Sequence, residues 1–431
     1  MPGSRRRQNT GIYWLAVGWL EVALTRVLVP RERRAGEHRV AATPETVKRL
    51  IGRGCELWVE SGAGVAAGFA DADYQTAGAQ LLDGDSAEAP ARWAAADVVL
   101  SVQGAALAEL EPGLERLRPG ALLIGLLEPH GNTALEATLQ QQKLSALALE
   151  LLPRISRAQS MDVLSSQANV AGYKAVLLAA AALDRYVPML MTAAGTIQPA
   201  RALILGAGVA GLQALATARR LGAVVMVSDV RPAAKEQVES LGGRFLEPPQ
   251  LEQTPAEVGG YAQQATEAFL AAQRQQLADQ LAQADMVICT AQVPGRAAPR
   301  LIDDAMLAGM RPGAVVVDLA VAQGGNCEGS RPGETVWRHG VQLIGADGLP
   351  SSVAHHASAL YARNLAALLE HLLSGSPEGG PVTLDLEDPI VSGCLFSHAE
   401  GAAASTAGTT EASGGATAGS TPEREPVGGA A

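Results

Sequence analysis

The chain has 431 residues, 48% of them hydrophobic and only 3% aromatic, a size that allows two separately cored domains filled by Ala, Val and Leu. Its 33 Lys and Arg against 44 Asp and Glu leave a formal charge of −11, which argues against a nucleic-acid surface and suits a protein that handles small molecules. Four widely spaced cysteines (Cys55, Cys289, Cys327 and Cys394) form no CxxC pair, so they read as buried thiols of a reducing compartment and give no support to a metal site.

In chain order, three arginines precede an apolar stretch, Ile12–Leu24, that looks like a signal peptide or short anchor. Glu21 interrupts it, no small-residue cleavage site follows, and it falls short of the roughly 20 residues that a bilayer requires. Residues 1–25 therefore read as an extension of unknown role. With no later segment apolar enough to span a membrane, the expectation is a soluble chain. A strand is predicted over Arg26–Val29. Thr43 as N-cap and Pro44 in the first turn open a helix with Val47, Leu50 and Ile51 on one face, ended by Gly52 or Gly54. Leu57–Val59 reads as the next strand, and this rhythm indicates a parallel sheet covered by helices.

An internal repeat extends the argument. Ala96-Asp-Val-Val-Leu100 is matched by Ala284-Asp-Met-Val-Ile288, and Arg118-Pro-Gly-Ala-Leu by Arg311-Pro-Gly-Ala-Val, in the same order. One supersecondary unit used twice implies an α/β chain of two Rossmann-like, doubly wound parallel-sheet domains with a cleft between them. The expected boundaries are 26–153 plus about 351–398 for the first domain and 154–350 for the second. The first copy lacks a dinucleotide fingerprint: Gly62-Ala-Gly64 has Ala67 where a third glycine should fall. It is expected to frame the cleft without binding a dinucleotide.

Between the two domains lies a dense polar run from Pro153 to Gln167. Arg154 and Asp162 could pair there and hold Gln159 and Ser165 toward a carboxamide, although such a run also suits a solvated loop that caps the next helix.

Next comes the strongest signal. Arg201–Leu205 is a short apolar strand, Gly206-Ala-Gly208-Val-Ala-Gly211 follows it, a helix is predicted over Leu212–Leu221, and a second strand over Val224–Ser228 ends on Asp229. Gly206 allows the tight turn, Gly208 lets a pyrophosphate reach the helix N-terminus, and Gly211 lets helix and strand pack closely. Asp229 can accept from both ribose hydroxyls and would repel a 2′-phosphate, which favours NAD over NADP despite the nearby Arg231. Further on, Glu247–Gln276 exceeds a minimal βαβ unit, and Gly259-Gly260-Tyr261 within it suits a hinged flap over the cofactor. From Ala399 onward the chain is almost devoid of large apolar residues and is expected to be a disordered tail.

Taken together, PRISRAQSMD, MTAAGTIQPAR, LGAGVAGLQA, the pair Asp229/Arg231, KEQVESLGG, GGYA and VVVDLAVAQGGNC resemble the NAD(H)-binding soluble component, or alpha subunit, of proton-translocating NAD(P)+ transhydrogenase. The resemblance covers about residues 26–396 and extends to the alanine dehydrogenases, which share RVLVPRE and GEHRVAATP. It implies a dimeric, two-domain protein at the cytoplasmic face of the inner membrane, docked on membrane-embedded partners. NADH on this chain would pass hydride to NADP+ on a partner subunit, coupled to proton movement.

Carried over by position, Arg154, Gln159, Asp162 and Ser165 fall in the loop that sets the nicotinamide, together with Ile155, Ser156, Ser160 and Met161. Gly206, Ala207, Gly208, Val209, Gly211, Asp229, Val230, Arg231 and Thr290 fall in the dinucleotide site, and Gly260 and Tyr261 at the tip of the family's mobile loop. The alanine dehydrogenases carry a Lys after the first ADVV strand and a His after the next. This chain has Ser101-Val-Gln103 and, a few residues late, His130. Transfer between two nicotinamides exchanges no proton with a substrate and needs no such base. Because fused relatives continue into membrane helices where this chain has its polar tail, it reads as one subunit of a split enzyme. Two competing readings remain: an amino-acid dehydrogenase using His130 as base, and a nucleotide-binding regulatory module without chemistry.

Overall fold

A computed structural model of the chain describes residues 24–109, 113–249, 267–293, 295–375 and 380–399. Short apolar runs bounded by turns form the strands β1 (Thr25–Val29), β2 (Cys55–Glu60), β3 (Gln80–Leu82), β4 (Val98–Gln103), β5 (Leu122–Leu126) and β6 (Ser145–Ala148). A small antiparallel hairpin follows, β7 (Leu190–Thr192) and β8 (Gly195–Ile197). The second set comprises β9 (Arg201–Leu205), β10 (Val224–Ser228), β11 (Arg244–Phe245), β12 (Met286–Cys289), β13 (Val315–Asp318), β14 (Thr335–Arg338) and β15 (Val341–Gly345). The last strand, β16 (Leu395–Ser397), returns to the first sheet.

The two seven-stranded sheets have the same plan. Their orders are β16-β6-β5-β4-β1-β2-β3 and β11-β10-β9-β12-β13-β15-β14. Six parallel strands in each follow the 3-2-1-4-5-6 winding, with an antiparallel strand at one edge. The winding reverses between β1 and β4 in one sheet and between β9 and β12 in the other, so each sheet has one crevice at its strand C-termini.

The repeat recurs down to hydrogen bonds. Asp97 accepts from the backbone N–H of Arg26 at 2.7 Å and pairs with the Arg26 and Arg118 side chains. Asp285 accepts from the backbone N–H of Arg201 at 2.8 Å and pairs with Arg185 and Arg311. In both sheets the aspartate joins the start of a central strand to the neighbouring strand and to the arginine of the following Arg-Pro-Gly turn. The glycines of those turns, Gly120 and Gly313, have φ of 86° and 82°.

Thr43 caps the helix Pro44–Ile51 and Gly52 closes it. Two helices of 20 residues, Val163–Ala182 and Ala354–Leu373, pack against the sheets. The first begins with Val163 among the residues packed on β1, β2 and β4, and reaches Ala175, Val176 and Ala179 among those packed on β9, β10 and β12. The second buries Tyr361, Leu365 and Leu369 in the first core.

Three expectations change. The fingerprint helix spans Val209–Arg220, three residues ahead of the predicted start, because the turn itself is the first helical turn. The long segment after Glu247 is not all loop: its last stretch belongs to the helix Glu267–Leu281. Ala399 is still folded, its N–H donating to Ser145 Oγ at 3.2 Å, while the rest of the expected tail, like residues 1–23 of the extension, lies outside the described residues. Among the described residues no helix is long and apolar enough to cross a membrane, and the four cysteines are buried and unpaired.

Candidate dinucleotide site

The crevice between β9 and β12 is framed by Gly206 at the end of one strand and Thr290 just past the other. Gly206 has φ of 102°, a conformation that side chains resist, and the Thr290 hydroxyl lies 3.0 Å from both the Leu205 and Gly206 carbonyls. A Cβ on Gly211 would collide with the Gly206 carbonyl oxygen, so this glycine sets how closely the helix approaches the turn. A Cβ on Gly208 would meet nothing within 4 Å. That open backbone at a helix N-terminus fits a pyrophosphate.

Asp229 follows β10. One oxygen accepts from the Ala207 N–H at 2.7 Å, and Arg231 engages both through its Nε and Nη2, each at 2.9 Å. Burial alone would raise this carboxyl, but the hydrogen bonds from Arg231 and Ala207 outweigh it, so the pKa lies below the usual aspartate value. The carboxylate is buried while the Arg231 guanidinium is 61% exposed, so the arginine can swing away when ribose hydroxyls arrive. Val209 and Val230 are exposed beside the turn, and the Ala207 methyl faces the core.

In the polar run, residues Ser156–Met161 form a 3-10 turn. Arg154, Ile155, Ser156, Gln159 and Ser160 face outward, and Ala158 and Met161 pack into the first core. The Met161 side chain is buried, so its backbone is the part that faces the turn's outer side. The expected Arg154–Asp162 pair does not form. Asp162 caps the helix Val163–Ala182, accepting from the Ser165 N–H at 2.9 Å and from its hydroxyl at 2.5 Å, so the cap has captured the carboxylate. Gly172 of that helix sits against the Ala210 carbonyl, and Asn169 donates to Gln213 at 3.1 Å, so the polar run's helix lies beside the fingerprint helix. Gly260 and Tyr261 lie outside the described residues.

The first sheet's crevice is closed by residues that sequence reasoning did not single out. Glu32, just past β1, accepts from the N–H groups of Val102 and Gln103 at the end of β4, at 2.6 and 3.1 Å. Glu37 holds Arg39 through contacts of 2.6 and 2.8 Å, and Gln103 donates to Glu37 at 3.1 Å. Burial pushes the Glu32 carboxyl up to about 7. Burial would raise Glu37 as well, but the Arg39 hydrogen bonds and charge outweigh it and hold that carboxyl at about 2. Arg34 joins Gln103 and Glu128 at 3.2 and 3.1 Å. Ser101 is fully buried, and its carbonyl accepts from the Tyr361 hydroxyl at 2.8 Å. His130 is exposed and lies against Gly295. No motif marks this network, because it depends on which strands become neighbours.

A doubly wound sheet with an open glycine turn at its crevice and a carboxylate at the tip of the next strand defines a Rossmann-type dinucleotide-binding protein. The chain belongs to the alanine dehydrogenase/PNT family, matching its N-terminal domain over residues 28–171 and its C-terminal domain over 175–404. It is 47% identical over 372 residues to an NAD(P) transhydrogenase subunit alpha protein of Rhodospirillum rubrum, across 85% of this chain and 95% of the relative. To the alanine dehydrogenase of Mycobacterium tuberculosis it is 33% identical over 310 residues, across 71% and 75%. The crystal structure of transhydrogenase from Sinorhizobium meliloti is similar with a TM-score of 0.76 and 42% identity, covering 87% of this chain and 99% of that one.

Proposed function

We propose that the chain is the NAD(H)-binding subunit of a proton-translocating, Re/Si-specific NAD(P)+ transhydrogenase. It works as a homodimer on membrane-embedded partners, one of which holds NADP(H). The observation that carries this reading is the contrast between the two crevices. One is open around Gly208 and ends on Asp229, whereas the other is sealed by Glu32, Glu37 and Arg39. An amino-acid dehydrogenase needs a free cation for the substrate carboxylate and a base for its proton. Here the buried guanidinium of Arg39 is committed to Glu37, the Gln103 amide to Arg34 and Glu37, and His130 sits at an exposed contact with Gly295.

The chain's residues would bind and orient. Backbone N–H groups around Gly208 would hold the pyrophosphate, Asp229 would take the adenosine ribose in place of Arg231, and Thr290 would set the turn. The polar run from Arg154 to Ser165 would fix the nicotinamide at the chain's surface, where Gln159 is free to meet the partner's nucleotide. NADH would supply the hydride, and the site would lie between a first domain of 26–153 plus about 351–398 and a second of 154–350. The test mixes the full chain with a separately made NADP(H)-binding partner. Transfer is expected only in the mixture, with tight binding of NADH and weak binding of NADPH. Vigorous NADH formation from L-alanine by the isolated chain would overturn the reading.

A further inference from the structure

Asn364 belongs to the helix Ala354–Leu373, some two hundred residues downstream of the polar run, yet its Nδ2 donates to the Ser160 carbonyl at 2.7 Å. Its Oδ1 is buried and finds no donor among the described residues. The amide orientation is therefore set by Ser160 alone, since turning the group over would put two oxygens face to face. An unpaired buried acceptor weakens a fold. A leucine of similar volume would avoid that penalty, so stability alone does not account for an amide at this place.

The surroundings say what the amide does. The turn Ser156–Met161 is gripped from inside by Ala158 and Met161, which enter the same core as Tyr361 and Leu365 on either side of Asn364. Beyond it, Arg157 reaches Asp388 at 3.4 Å, and Asp388 is held by His371 of the same helix at 2.6 Å. That outer contact is longer than the 2.7 Å bond from Asn364, and an exposed ion pair contributes little. Within the turn the Asp162 N–H reaches the Gln159 carbonyl at 3.4 Å, and Asn364 adds a tie to Ser160 from a separate helix.

We infer that Asn364 is a positioning residue for hydride transfer: it fixes the Ser160 carbonyl, and with it the turn that presents Gln159 beside the nicotinamide. The inference rests on the proposed function. The rest of the dinucleotide is held by the unit from Gly206 to Asp229, so loss of Asn364 should spare affinity and impair geometry. Misplacement by an ångström at a transfer site lowers rates by up to about a hundredfold.

The test uses the full chain with an NADP(H)-binding partner and compares wild type, Asn364→Leu, Asn364→Asp and, as a control, Arg363→Ala. Arg363 is the exposed neighbour paired with Glu45. Both Asn364 variants are expected to lose tenfold or more in kcat while NADH affinity changes less than twofold. Asn364→Leu should keep or raise the melting temperature, and Arg363→Ala should match wild type. Hydrogen exchange of the 156–162 amides with NADH bound, measured without the partner, should be faster in both Asn364 variants. An unchanged kcat in a folded Asn364→Leu, or an affinity loss in proportion to kcat, would overturn the inference. If wild type itself transfers no hydride, the functional reading falls instead, and the exchange measurement still decides whether Asn364 orders the turn.

Discussion

Asp229 shows how much a single acid contributes when its neighbours compete for it. Both oxygens are already hydrogen-bonded, so a ribose gains only what exceeds the Arg231 contacts it replaces. Charge-assisted hydrogen bonds are worth about 1.5–3 kcal/mol. Asp229→Asn is accordingly expected to weaken NADH binding by about thirtyfold, by fluorescence titration, and to narrow the gap to NADPH. Glu32 gives a pH prediction of definite sign. Its carboxyl lies near 4.3 in the unfolded chain and at about 7 in the folded one. Folding therefore favours its protonated form, and this contribution is full below pH 4.3, shrinks as the pH rises and is gone above about 7, in total on the order of 4 kcal/mol. Glu37, held at about 2, acts oppositely: its contribution is present above pH 4.3 and is lost as the pH falls toward 2. Thermal melts between pH 5 and 8 should show the Glu32 decline in wild type and not in Glu32→Gln; a decline that persists in the variant assigns it elsewhere. Of these residues only Asp229 was legible, because its place after β10 is fixed by distance along one strand–helix–strand unit. Glu32, Glu37 and Arg39 act across two strands that are some seventy residues apart in the chain.

Elements were read more easily than side-chain partners. Strand runs, the Thr43 cap and the doubled Asp…Arg-Pro-Gly unit all follow from local pattern, and the structure repeats even the aspartate's hydrogen bonds in both sheets. Competition at element ends was harder to see. Asp162 could cap a helix or pair with Arg154, and the cap won, since Ser165 lies one turn away while Arg154 faces solvent. The hairpin β7–β8 was also missed, because its short strands are exposed and carry no alternation that could be read as a buried face. The glycines test the element scale directly. Gly211→Ala would push the helix Val209–Arg220 off the Gly206 carbonyl and displace the N–H groups meant for the pyrophosphate. Overpacking of this kind costs about 1–3 kcal/mol. NADH binding is expected to fall at least tenfold while the chain stays folded, measured by titration beside a circular dichroism melt. Retained affinity would mean that the helix N-terminus does not hold the cofactor.

At the scale of the molecule the question is what couples two sheets that are each complete. The sequence announced two domains but gave no account of their joining, since the joining residues are ordinary members of two long helices. Gln167 lies where those helices meet, buried near the start of Val163–Ala182. Its Oε1 accepts from Arg39 at 3.0 Å and its Nε2 donates to the Ala357 carbonyl at 3.1 Å. One amide thus ties the sealed crevice of the first sheet to both helices, and the helix that carries it ends in the core of the second sheet. Gln167→Leu keeps the volume and removes both bonds, leaving a buried guanidinium nitrogen unpaired, while the Ala357 carbonyl loses only the donor it has beyond its place in the helix ladder. An orphaned buried donor costs about 1–3 kcal/mol, so a loss of about 2–3 kcal/mol is expected in urea unfolding. The distribution of that loss carries the argument. If the helices transmit order between the sheets, hydrogen exchange should quicken in peptides from β9 and β12 as well as in those from β1 and β4. Quickening confined to β1 and β4 would make Gln167 a local support of the first sheet, with the second held by its own core.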